Sequence, residues 1–91
     1  MAEIVARSVR VSGRVQGVFF RDACRSEAES RQVAGWVSNE SDGTVRAWFE
    51  GAPDAVEAVV DWCRTGPPRA HVSDVDVSEG EPRGLAGFEV R

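Results

Sequence analysis

The chain has no run of apolar residues long enough to span a bilayer, and its opening residues "MAEIVARSVR" lack the extended apolar stretch of a secretory signal. Those two absences lead us to expect a cytoplasmic protein with no membrane partner. Cysteine is scarce: Cys24 and Cys63 stand far apart and in no CxxC pair, so spacing supports neither a zinc site nor a redox motif. Reduced thiols packed in a core are expected instead. The single histidine, His71, reads as a solvent-exposed residue at the start of a strand. No cluster of His, Cys and Asp at ligand spacing is visible, so no metal and no cofactor is expected. The formal net charge of −4 leaves no broad basic surface, which disfavours nucleic acid as a partner. Internal repeats and low-complexity tracts are missing too, and 91 residues are too few for two cores. Residues 1–91 are therefore expected to form one domain.

What the sequence does contain is apolar periodicity that switches several times, with turn chemistry at each switch. "VRVSG" from Val9 places Val9 and Val11 on one face and Arg10 and Ser12 on the other, the two-residue period of a strand. From Phe20 to about Arg31 the period becomes helical, with Phe20, Cys24 and Ala28 four residues apart. "GWVSN" begins a second strand. "SDG" then leads into "TVRAWFE", where Val45, Ala47 and Phe49 alternate with Thr44, Arg46 and Trp48. Asp42-Gly43 between them is a strong hairpin signal.

A second helix opens at Pro53, which loses no hydrogen bond in a first turn, and carries Asp54 and Glu57 near its positive end. Ala55, Val56, Val59, Val60 and Cys63 form one apolar stripe, and "TGPPR" stops the helix. Val75 and Val77 of "VSDVDV" mark a fourth strand. Phe88 and Val90 of "FEVR" mark a short last one. The order β-α-β-β-α-β plus a terminal strand predicts an α+β, ferredoxin-like split β-α-β sandwich, with two helices on one face of a mainly antiparallel sheet.

That fold hosts many functions, so residues must decide. In "VSGRVQGVFFRDACR" a glycine-containing loop, Arg14 to Phe20, runs into a helix that begins with Arg21 near its positive end. A cation there is unfavourable unless an anion compensates. Successive N–H groups around Gly17 can form a concave anion site, and a guanidinium offers a planar fork for two oxygens of one phosphate or carboxylate. The alternative is a surface pair of Arg21 with Asp22, Glu29 or Glu3 and a purely turn-forming Gly17. Asn39 is open in the same way: it is either a turn residue at a strand end or a polar group that the split fold brings to the loop after the first strand.

These residues carry a resemblance over nearly the whole chain. "GRVQGVFFR" (Gly13 to Arg21), "GWVSNESDGTV" (Gly35 to Val45), "EGAPDAVEAVVDWCRTGPP" and the terminal "GFEVR" are similar, in order and separation, to the acylphosphatase family. The resemblance implies hydrolysis of a small-molecule acyl phosphate to a carboxylate and inorganic phosphate, without a metal. It implies that Arg21 binds the phosphate, that the backbone of Val15, Gln16, Gly17, Val18, Phe19 and Phe20 cradles it, and that Asn39 orients the attacking water. A monomer is expected. The competing reading is a non-catalytic anion-binding or regulatory ferredoxin-like module; an RNA-binding module would want exposed aromatics among basic residues, for which Trp48 beside Arg46 is a faint hint. The chain departs from the family near Arg31-Gln32, where many members have a glycine that ends the first helix. Without it, the helix must end at Gln32 in an uncomfortable conformation or run slightly further.

Overall fold

The computed structural model describes residues 3–91, and the alternations found in the sequence become its elements. They are β1 (Val5–Arg14), α1 (Phe20–Ser30), β2 (Ala34–Asn39), β3 (Val45–Gly51), α2 (Pro53–Cys63), β4 (His71–Gly80) and β5 (Phe88–Val90). The strands form one sheet in the order β4-β1-β3-β2-β5. β1 lies antiparallel between β3 and β4, β2 is antiparallel to β3, and β5 adds to β2 in parallel, with Trp36 opposite Glu89. Both helices cover the same face, as the split β-α-β reading requires.

The inward side chains of α1 (Phe20, Cys24, Ala28) and α2 (Val56, Val59, Val60, Cys63) join Val9, Val11, Val37, Val45, Ala47 and Phe49 in one buried cluster. Burial of each large apolar side chain contributes about 1.5–3 kcal/mol, so this cluster is what holds the helices down. Phe20 meets Trp62 across the helix pair with ring centroids 5.2 Å apart, and Phe49 stacks on Phe88 at 5.8 Å. Cys24 and Cys63 are free thiols, both fully buried. A hydrogen bond with Cys63 and burial push the Cys24 thiol far above its ordinary pKa.

Two strands extend beyond the alternation visible in the sequence. β1 begins at Val5 rather than Val9, and β4 runs on to Gly80, because the two pair with each other from Ala6↔Gly80 to Arg14↔His71. His71 opens β4 as an exposed residue, as expected. The added segments serve the other face of the sheet. There Ala6 and Trp48 are buried outside the helix-covered cluster, although alternation places Trp48 with the outward set. A Cβ at Gly80 would come within 2.3 Å of the Trp48 ring, so glycine permits the close approach. The Arg83 guanidinium lies 4.3 Å over the same ring.

Glu50, only 4% exposed, anchors this second patch. It accepts hydrogen bonds from the Trp48 indole N–H (2.6 Å) and from the main-chain N–H groups of Arg83 (3.0 Å) and Leu85 (2.8 Å). Burial by itself raises the pKa of such a carboxyl. Here donation from Trp48 and from the N–H groups of Arg83, Leu85 and Gly84 outweighs burial and holds it below the usual carboxylate range.

Candidate active site

The site grows out of the turn between β1 and α1. Gly17 has φ 71° with open space where a Cβ would stand, so its cost to any other residue is conformational. Phe19 adopts the same left-handed region, φ 63°, without glycine's freedom, and holds its side chain 68% exposed. Two costs at one residue, strain and exposed apolar surface, mark a segment shaped for something other than stability. Phe19 is the N-cap of α1 and offers no side-chain cap. The first helical hydrogen bond runs from Ala23 N–H to Phe19 O at 3.1 Å, so the N–H groups of Phe20, Arg21 and Asp22 precede any helical acceptor.

A cavity of about 300 Å³ opens at this helix start. Of the residues singled out in the sequence, it brings together Val15, Gly17, Phe19 and Phe20 with Arg21 and Asn39. Asp22 lines it as well, which the sequence reading did not anticipate. Two cradle residues do not line it. Val18 is buried in the core, and Gln16 turns its amide to the β2–β3 hairpin, donating to Glu40 O at 2.7 Å and Thr44 O at 3.0 Å.

No Asp or Glu side chain pairs with Arg21 among the described residues, so the surface pairing with Asp22, Glu29 or Glu3 is not the arrangement adopted. Instead its Nη1 donates to the main-chain oxygen of Arg91 at 2.9 Å. That oxygen arrives because β5 pairs with β2 and Arg91 N–H donates to Val37 O at 2.8 Å. No local signal around Arg21 could have announced a partner seventy residues on. One bond fixes the guanidinium and leaves the remaining donors of its fork for an anion.

Asn39 closes β2, paired with Val45, where the hairpin begins. The hairpin is self-supporting: Glu40 N–H donates to Thr44 O (2.8 Å), and Asp42 Oδ1 accepts from the Thr44 hydroxyl (2.6 Å) and N–H (3.0 Å). Donation from Thr44, hydroxyl first, lowers the Asp42 pKa. The Asn39 side chain takes no part in these turn bonds. Its Oδ1 is buried and has no donor among the described residues, unusual for an oxygen that normally loses about 1–3 kcal/mol when left unpaired. Asn39, the Arg21 guanidinium and the start of α1 thus line one small cavity. Such a set can hold a tetrahedral anion on one side and a water molecule on the other. Among the described residues no three His, Cys, Asp or Glu side chains gather as metal ligands.

Comparison with known proteins finds related chains over nearly the whole length. The acylphosphatase family model matches residues 7–90. An acylphosphatase of Natronomonas pharaonis is 48% identical over 91 residues, spanning 100% of this chain and 99% of the relative, and one of Haloquadratum walsbyi is 52% identical over 92 residues, with 100% and 99% covered. Among solved structures, an acylphosphatase from Coxiella burnetii superimposes with a TM-score of 0.93 at 41% identity, over 97% of this chain and 93% of that one.

Proposed function

The chain belongs to the acylphosphatase family and is an enzyme of its activity, the hydrolysis of acyl phosphates to a carboxylate and inorganic phosphate; we propose the following division of labour among its residues. The N–H groups from Val15 to Phe20 cradle the phosphoryl oxygens, and the Arg21 fork grips two of them and stabilises charge as it shifts among them. Asn39 Oδ1 accepts from a water molecule and aims it at phosphorus, in line with the departing carboxylate. A carboxylate leaves readily, so no general acid is required, and the water's proton passes to the substrate's own phosphate oxygen. Arg21 and the N–H groups supply the positive field, so catalysis proceeds without a metal. We also propose a cytoplasmic monomer in which residues 1–91 are the working unit, every site group coming from one chain; no helix among the described residues is long and apolar enough to cross a membrane.

The observation that carries this reading is the buried Asn39 Oδ1, without a donor among the described residues, on a side chain that lines the same cavity as Arg21. Its test is hydrolysis of benzoyl phosphate. Asn39→Ala should lower kcat about 10²-fold or more, a loss of at least ~2.7 kcal/mol of transition-state stabilisation, while competitive inhibition by inorganic phosphate stays close to wild type. EDTA should leave the wild-type rate unchanged. A fast but less stable Asn39→Ala variant would reduce Asn39 to a turn residue, and a rate lost to EDTA and restored by a divalent cation would overturn the metal-free mechanism.

A further inference from the structure

Gln16 sits in the phosphate cradle, yet its side chain points away from the cavity. Its Nε2 donates to two main-chain oxygens, Glu40 O at 2.7 Å and Thr44 O at 3.0 Å, and so reaches across 24 and 28 residues of sequence. Those oxygens frame the mouth of the β2–β3 connection, and Glu40 directly follows Asn39. The connection has little else to locate it: Ser41, Asp42 and Gly43 are exposed, and its remaining main-chain bonds, Glu40 N–H to Thr44 O and Gly43 N–H to Glu40 O, are internal. Those internal bonds shape the hairpin but cannot hold it against the loop that opposes it. Gln16 does hold it there.

We propose that Gln16 is a positioning residue for the reaction: it fastens the phosphate cradle to the main chain next to Asn39 and thereby sets the distance between the held phosphorus and the water that Asn39 orients. The inference rests on the water-orienting role of Asn39 given above. In-line attack tolerates little error, since misplacement by about 1 Å can cost a factor of 10² in rate. Two hydrogen bonds from one amide to successive corners of a hairpin remove both sliding and rocking of the hairpin against the loop. The cradle itself is made of main-chain N–H groups and Arg21, and Arg21 is held separately by Arg91 O, so loss of the Gln16 amide leaves phosphate recognition in place.

The test is a double-mutant cycle on benzoyl phosphate hydrolysis with wild type, Gln16→Ala, Asn39→Ala and the double variant, each also measured for inhibition by inorganic phosphate. Gln16→Ala should lower kcat about tenfold or more with phosphate inhibition changed less than about twofold, and adding it to Asn39→Ala should lower kcat by less than about a further twofold. A double variant whose loss is the product of the two single losses overturns the proposal, because Gln16 would then act independently of Asn39. So does a parallel loss of phosphate affinity, which would place Gln16 in the cradle alone. If Gln16→Ala does not fold, Gln16→Met, similar in length and without a donor, takes its place under the same criteria. An Asn39→Ala variant with wild-type kcat would instead remove the Asn39 role itself, and this inference with it.

Discussion

Arg21 owes its aim to an oxygen seventy residues further along the chain. With Nη1 committed to Arg91 O, the guanidinium still presents donors in a plane to the cavity. An ammonium cannot do both. It carries its three donors on one atom at the end of a flexible stem, so it either reaches Arg91 O or points at the phosphate as a single charge. Arg21→Lys should therefore fall close to Arg21→Ala in kcat/KM on benzoyl phosphate, at least about 10²-fold below wild type, although it keeps the formal charge. A lysine variant with near-wild-type turnover would show that charge alone suffices and that two-point recognition is the wrong picture. The same contrast separates Arg21 from the other cations of the site's surroundings: Arg91 spends its side chain on Glu89 and on the Trp36 ring, 4.8 Å away, and lends the site only its main chain.

Helix ends show where the sequence speaks and where it is silent. α1 stops at Ser30, and Arg31, Gln32 and Val33 turn the chain with N–H bonds back to Ala28 O, Glu29 O and Ala28 O. Gln32 pays for that turn with φ 58°, the left-handed conformation in which a Cβ costs about 1–2 kcal/mol. The departure from the family glycine at this point is thus resolved as a strained stop rather than a longer helix. Gln32→Gly should raise stability by up to about 1 kcal/mol after the extra freedom of glycine in the unfolded chain is subtracted, a rise of about 4–8 °C in melting temperature at most. Gln32 is exposed and outside the cavity, so kcat should not move; a lower melting temperature would mean that the strain is offset by contacts of the Gln32 side chain. α2 was legible from its first residue, Pro53, to a stop just before "TGPPR", because Pro53 opens it and a single apolar stripe runs its length. Arg21 and Asn39 were marked by the family resemblance, spacing alone leaving both open, and the structure brings them to one cavity with Val15, Gly17, Phe19 and Phe20 but without Gln16 and Val18. Residues whose work is done through main-chain groups were not. Arg91 reaches Arg21 only after β5 has paired with β2, and the Gln16 amide finds Glu40 O only after the hairpin has folded against the loop. Side-chain periodicity records neither event. Trp48 was misjudged for a related reason: alternation puts it on the outward face, and only the return of residues 81–87 across that face buries it.

At the scale of the molecule, that returning segment ties the second buried patch to the active site. Glu50 holds Arg83 and Leu85 by their N–H groups, the chain then runs into β5, Gly35 N–H donates to Gly87 O at 3.0 Å, and β5 delivers Arg91 O to Arg21. One carboxylate on the helix-free face thus anchors the strand that orients Arg21. Its charge matters because the Trp48 indole and several main-chain N–H groups converge on it, and a charged acceptor gains about 1.5–3 kcal/mol per hydrogen bond where a neutral one gains about half that. The folded pKa of Glu50 lies below its unfolded value, so the folded protein holds its proton less tightly. The stabilisation is therefore fully present above the unfolded carboxylate value of about 4.3 and is lost as pH falls through the lower folded value. Glu50→Gln removes the charge and turns an amide donor toward N–H groups that need an acceptor. At pH 7 it should cost about 2 kcal/mol, or roughly 8–16 °C in melting temperature, and slow turnover by loosening Arg91 O. The cost should shrink as pH falls below the unfolded value of about 4.3 and on through the lower folded one, because the wild-type carboxyl takes up a proton while the glutamine does not change. Urea unfolding of both proteins across that range decides the matter: converging stabilities place the acid-sensitive anchor at Glu50, and parallel ones place it elsewhere.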